Sequence, residues 1–155
     1  MISLQSSAPD FTLLDQAGKT HSLAQYKGQT VLLYFYPKDD TPGCTAEACS
    51  FRDNLAELKQ AGVVVLGISG DDVTSHEKFA TKYNLNFPIL ADTDHAVRLA
   101  YGVYGPKKMF GNLFDGYHRE SFLISKDGVI VKHYSSVKPE EHVAEILADV
   151  KTITI

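Results

Sequence analysis

Thr30-Val31-Leu32-Leu33-Tyr34-Phe35-Tyr36 runs straight into Pro37-Lys38-Asp39-Asp40-Thr41-Pro42-Gly43-Cys44, and a second cysteine, Cys49, follows five residues on. The apolar run reads as a strand covered on both faces, and Pro37 ends it because proline has no N–H for a ladder. Beyond the loop, Ala48, Phe51, Leu55 and Leu58 recur on one helical face, and Gly62 stops the helix near Ala61. Thr41 reads as the N-cap, with Pro42 at the first helical position, where a missing N–H costs nothing. Cys44 then falls in the first turn, among unpaired backbone N–H groups at the positive end of the dipole. That setting favours a thiolate over a thiol. A strand that hands a thiol to a helix N-terminus presents a nucleophile.

The flanking chain repeats the alternation. Phe11–Leu14 and Thr20–Leu23, joined by Asp15-Gln16-Ala17-Gly18-Lys19, predict an N-terminal hairpin. Val63–Ile68 predicts a second buried strand, Val73–Tyr83 a helix, Phe87–Leu90 a short strand and Asp94–Tyr101 a short helix. Val103–Gly116 is rich in glycine and resists assignment beyond a strand and an exposed loop, Met109–Gly116. Arg119–Ser125 turns at Lys126-Asp127-Gly128 into Val129–Tyr134, a hairpin, and Pro139-Glu140-Glu141 opens a last helix. Strands alternating with helices imply a parallel core, and the closing hairpin adds antiparallel strands. The expected fold is α/β and thioredoxin-like: a mixed central sheet flanked by helices, with an N-terminal β-hairpin extension. Cys44 would lie at the carboxyl end of that sheet, where open α/β folds place their sites.

At 155 residues the chain suits one domain spanning 1–155, large enough to bury roughly 70% of its unfolded surface without staples. A net charge of −4, with lysines scattered, argues against nucleic acid as a partner. No apolar run approaches the ~18 residues a membrane span requires, and Met1–Gln5 lacks the regions of a secretory signal, so the expected location is the cytoplasm with no membrane partner. Two cysteines in such a chain are a poor fold staple and too few for a closed zinc site. The six histidines have no recurring ligand spacing and read mostly as surface residues.

The residues also resemble a known family. Pro37-x-x-x-Thr41-x-x-Cys44 is similar to the peroxiredoxin signature. The longer run Tyr34–Thr45, with Glu47 and Cys49, resembles the bacterioferritin comigratory protein (peroxiredoxin Q) subfamily. Arg119-Glu120-Ser121-Phe122-Leu123-Ile124 resembles the later arginine strand of those proteins, although Glu120 stands where a small polar residue is expected. Strand alternation should turn Glu120 away from Arg119.

The resemblance implies a thiol peroxidase acting on hydrogen peroxide and organic hydroperoxides with no haem, metal or flavin cofactor. It makes Cys44 the peroxidatic residue, Thr41 and Arg119 its partners in the site, and Pro37 its shield. It also makes Cys49 the resolving cysteine, thioredoxin or a similar dithiol the reductant, and the protein a monomer or weak dimer.

The chemistry suits those residue types. Charge moves from sulfur to the leaving oxygen, so fixed positive donors should flank the path, and Arg119 with the backbone near Gly43 provides them. The Thr41 hydroxyl can accept from peroxide and donate to the thiolate in one geometry, and Gly43 leaves space for substrate. No general base is assigned to His118, and Glu47 reads as a complement to the helix dipole. In an unbroken helix, Cys44 and Cys49 would lie about 8.7 Å apart at Cα. A disulfide reaches about 7 Å at most, so forming one requires the first turns to unwind. Two rival readings keep the fold: a dithiol oxidoreductase, whose cysteines are usually two residues apart, and a non-enzymatic redox-sensing module, which has no need of Arg119 with Thr41.

Overall fold

The computed structural model describes residues 4–109, 112–117 and 119–152. Its elements run β1 (Thr12–Leu14), β2 (Thr20–Ser22), β3 (Thr30–Phe35), α1 (Pro42–Asp53), α2 (Leu55–Gln60), β4 (Val63–Ser69), α3 (Val73–Tyr83) and β5 (Ile89–Ala91). After these come α4 (Ala96–Ala100), β6 (Tyr104–Met109), β7 (Asn112–Tyr117), β8 (Glu120–Ile124), β9 (Ile130–Tyr134) and α5 (His142–Thr152).

Seven strands form one mixed sheet in the order β2-β1-β5-β4-β3-β8-β9. β3 pairs in parallel with β4, and β4 with β5, while β8 and β9 join antiparallel. The N-terminal hairpin extends the other edge through Leu14 and Ala91. This is the expected thioredoxin-like α/β architecture. β3 is buried along its whole length, and its side chains alternate between two cores, as a strand covered on both faces requires. Leu32 and Tyr34 face Ala48, Phe51, Leu55, Leu58, Phe79 and Ile146. Leu33 and Phe35 face Leu66, Val97, Tyr101 and Phe122.

Three expectations need correction. The cysteine helix is not continuous to Ala61: it breaks at Asn54, whose Nδ2 donates to the Ser50 carbonyl at 2.8 Å and whose backbone leaves the helical region at φ −111°, ψ 12°. Arg52 holds the same point from the other side, donating through Nη1 to the Tyr83 carbonyl while its own carbonyl accepts from Asn86 Nδ2. The second correction is β5, which begins at Ile89 instead of Phe87. The Gln16 amide occupies the backbone there, donating to the Phe87 carbonyl and accepting from the Ile89 N–H. The third is 104–117, which forms a separate antiparallel ribbon, β6–β7, where one strand and a loop were expected. Of the expected Met109–Gly116 loop, 110 and 111 lie outside the described residues. Among the described residues, no helix is long and apolar enough to cross a membrane.

Candidate active site

α1 begins where the sequence places it. Thr41 has the extended backbone of an N-cap, Pro42 follows at N1, and the Thr45 N–H makes the first helical bond to the Thr41 carbonyl at 2.8 Å. The threonine hydroxyl neither caps nor donates to the Cys44 sulfur as expected; its one hydrogen goes to the Lys38 carbonyl at 2.9 Å. Its lone pairs are therefore not committed to helix N–H groups. Pro37 stands half-buried at the head of the same loop.

Cys44 is buried at 1% exposure, and its sulfur accepts from Arg119 Nη2 at 3.2 Å. Cysteine and arginine come together because β8 pairs antiparallel with β3, which brings Arg119, just before β8, beside the loop that leaves β3. Gly43 permits the approach. A Cβ there would lie 3.0 Å from Arg119 Nη2, so what the glycine leaves room for is the guanidinium, in place of the expected substrate space. Glu120 engages His133 Nε2 at 2.6 Å.

Sequence reasoning missed the part Glu47 takes here. Far from a solvent-facing complement to the dipole, it is 1% exposed and accepts from Arg119 Nη1 at 2.8 Å. One guanidinium is thus shared by the Glu47 carboxyl and the Cys44 sulfur. The available signal was spacing: Glu47 is three residues from Cys44, on the same helical face. Burial opposes the charge of Arg119, but Glu47 and Cys44 outweigh it and raise the guanidinium above its usual value. The other Glu47 oxygen, Oε2, is buried without a hydrogen-bond partner among the described residues, as is the Tyr34 hydroxyl. Tyr34 stacks between Tyr36 and Phe51 at centroid distances of 5.5 and 4.6 Å, so an aromatic wall backs the site.

Burial pushes the Glu47 carboxyl up from 4.5 to about 7, against the pull of Arg119. The folded protein holds this proton to about pH 7, while the unfolded chain releases it near 4.5. Between those values the unfolded chain binds fewer protons, so the stability contributed by Glu47 falls as pH rises. Urea unfolding of wild type and Glu47→Gln at pH 4.5 and 7.5 should show the difference moving against the wild type by up to about 3 kcal/mol. A difference independent of pH would mean that folding leaves the proton affinity of this carboxyl unchanged.

The histidines also depart from the surface reading. His76 and His142 are fully buried, His76 on Asp39 and His142 between Ser121 and Glu145. His118 lies outside the described residues. Cys49 is half-buried in α1 and, like Cys44, a free thiol. Both cysteines sit within the unbroken part of the helix, so the spacing argument above applies to them.

Comparison with known proteins agrees with this geometry. A model of the AhpC/TSA family matches residues 4–133. The chain is 51% identical to a putative peroxiredoxin bcp of Coxiella burnetii over 94% of this chain and 97% of that protein. It is 42% identical to peroxiredoxin Bcp of Bacillus subtilis over 99% and 98% of the two chains. Among solved structures, PrxQ of Xylella fastidiosa superposes with a TM-score of 0.91 at 31% identity, covering 98% of this chain and 97% of that one. Bacterioferritin comigratory protein of Xanthomonas campestris, whose structures address its alkyl peroxide reduction activity, gives 0.87 at 37% identity over 92% and 90%. By its sequence, its sheet and the cysteine–arginine pair at the head of α1, the chain belongs to the AhpC/TSA family, within its Bcp/peroxiredoxin Q peroxiredoxins.

Proposed function

We propose that the protein is a thiol-dependent peroxidase in which Cys44 reduces hydrogen peroxide and organic hydroperoxides and Cys49 resolves the product. The observation that carries this reading is the 3.2 Å contact of Arg119 Nη2 with the buried Cys44 sulfur. The Cys44 thiolate attacks one peroxide oxygen; the S–O bond forms as the O–O bond breaks, and sulfur loses two electrons. The departing oxygen takes a proton and leaves as water or alcohol. On this reading Arg119, which already touches the sulfur, stabilises charge at both ends of that transfer, and Thr41 and Pro37 flank the peroxide. Cys49 then attacks the Cys44 sulfenic acid, a disulfide forms and water leaves. Thioredoxin or a similar dithiol returns both thiols, which suits a cytoplasmic monomer or weak dimer acting without nucleic acid or membrane.

One equivalent of hydrogen peroxide should make the reduced protein two hydrogens lighter by intact mass, and a dithiol reductant should restore it. An unchanged mass would sink the peroxidase reading. Because α1 holds the cysteines too far apart, oxidation should also abolish amide exchange protection over about 42–51 while β3 and β4 stay protected. Protection retained in the disulfide form would show that the helix does not unwind.

A further inference from the structure

Behind the cysteine loop lies a buried polar cluster that the reaction above leaves unused. Asp39, 7% exposed, receives three side-chain donors: Tyr36 Oη on Oδ1 at 2.7 Å, and Ser75 Oγ at 2.8 Å and His76 Nδ1 at 2.6 Å on Oδ2. Its own N–H donates to Asp71 Oδ2 at 2.8 Å, and the Ser69 hydroxyl donates to that same oxygen at 2.7 Å. His76 Nε2 faces the Leu90 carbonyl at 2.9 Å. Both ring nitrogens thus contact oxygen atoms, and the ring spans from Asp39 to β5. The next residue, Asp40, adopts φ 56° and reaches outward to Lys82 Nζ and Tyr83 Oη.

Burying a carboxylate is costly unless donors surround it, and apolar packing would hold two elements together at less cost. What a network of this kind supplies is one defined geometry. Here it ties the loop to β3, β4, α3 and, through His76, to β5. Asp39 stands two residues from Pro37 and two from Thr41.

We propose that Asp39, held by Tyr36, Ser75 and His76, is a positioning residue that fixes the Pro37–Thr41 half of the peroxide pocket. α1 is then left as the half that moves during the cycle. The inference rests on the peroxidase reading. The loop stays clamped to α3 on one side of α1, and Arg52 with Asn86 clamps the other. Unwinding is thereby confined between two fixed points, and the peroxide pocket reassembles when the helix re-forms.

Asp39, Asp71 and His76 also bring three potential ligand atoms within 4.8 Å of one another. Each of those atoms, however, already has a hydrogen-bond partner within the network, which favours a clamp over a metal centre.

Tyr36→Phe and Ser75→Ala each remove one donor from Asp39 with little change in volume, and His76→Gln removes the Nδ1 donor. Each should lower kcat/KM for hydrogen peroxide by about tenfold, the scale of a small misplacement of reacting groups. Each should also speed amide exchange at 38–41. The first-order rate at which the Cys44 sulfenic acid becomes the disulfide, read at saturating peroxide, and kcat/KM for the reductant should stay at wild-type values. His76→Asn, whose side-chain nitrogen can take the place of Nδ1, should recover most of the peroxide rate.

Faster exchange at 38–41 with an unchanged peroxide rate would overturn the proposal, since the cluster would then serve stability alone. So would one equivalent of Mn2+ bound by wild type and lost in Asp39→Asn. Failure of wild type itself to react with peroxide would instead count against the peroxidase reading.

Discussion

Cys44→Ser will leave hydrogen peroxide consumption at the uncatalysed background and will show no mass change on peroxide addition, whereas Cys49→Ser will gain a single oxygen. The two outcomes differ because the thiols sit in different settings. Cys44 lies at the head of α1 with Arg119 on its sulfur. Cys49 lies more than a turn further on, half-buried, where neither the N-terminal amides nor that guanidinium reaches it. A serine hydroxyl at 44 keeps the shape of the site and loses the polarisable, ionisable sulfur that attacks the O–O bond. With serine at 49 the first step proceeds and stops at the sulfenic acid, which then climbs to the sulfinic acid if peroxide is in excess. Intact mass spectrometry on a seconds time scale reads all three species. Oxygen added to Cys44→Ser would move the reactive thiol to Cys49 and overturn the assignment. A disulfide that persists in Cys49→Ser, formed between two chains, would replace the intramolecular cycle with an intermolecular one.

Arg119→Met should lower the second-order rate constant for peroxide by about 10² to 10³, the usual consequence of losing one preorganised donor to developing charge. Methionine keeps the apolar stem and loses the guanidinium. The donor to Glu47 Oε1 goes with it, which leaves that buried carboxyl without its cation. Stability should therefore fall as well, and unfolding must be measured beside the rate. Arg119→Lys keeps a charge but not the planar fork that serves Glu47 through Nη1 and Cys44 through Nη2, so a loss of about tenfold is expected. A rate within threefold of wild type for Arg119→Met, in a folded protein, would assign charge stabilisation to the helix N-terminus alone.

The parts of the fold legible in the sequence are those governed by local pattern. β3, the cap at Thr41, β4 and the bounds of α3 follow from apolar runs, a Thr-Pro pair and helical periodicity, each decided within about ten residues. The break at Asn54 was not legible, because it depends on Arg52 meeting Tyr83 at the end of α3 and on Asn86 donating to the Arg52 carbonyl. Gly105, Pro106 and Gly116 hid the β6–β7 ribbon by interrupting the alternation that marks a strand. A two-stranded ribbon tolerates a proline because its outer edges carry no third strand.

The site divides in the same way. Cys44 and Thr41 were legible from their own neighbours. Arg119 came from resemblance to a family, since its partner lies 75 positions away. Glu47 misled because an acidic residue in the first turns of a helix has an ordinary electrostatic use, and only its burial against Arg119 distinguishes the two roles. Asp39 and His76 could not be paired across 37 residues by any local pattern.

The interruption at Asn54 has a mechanical meaning. A helix continuous from Pro42 to Gln60 would transmit the pull of a closing disulfide straight into the turn before β4, at the centre of the sheet. Divided as it is, the chain would act like a hinged rod in the proposed cycle: torsion generated at Cys44 and Cys49 would dissipate before Leu55, whose side chain sits in the core. On that cycle the protein would keep two lifetimes in one polypeptide, a sheet made once and a dozen residues remade at every turnover.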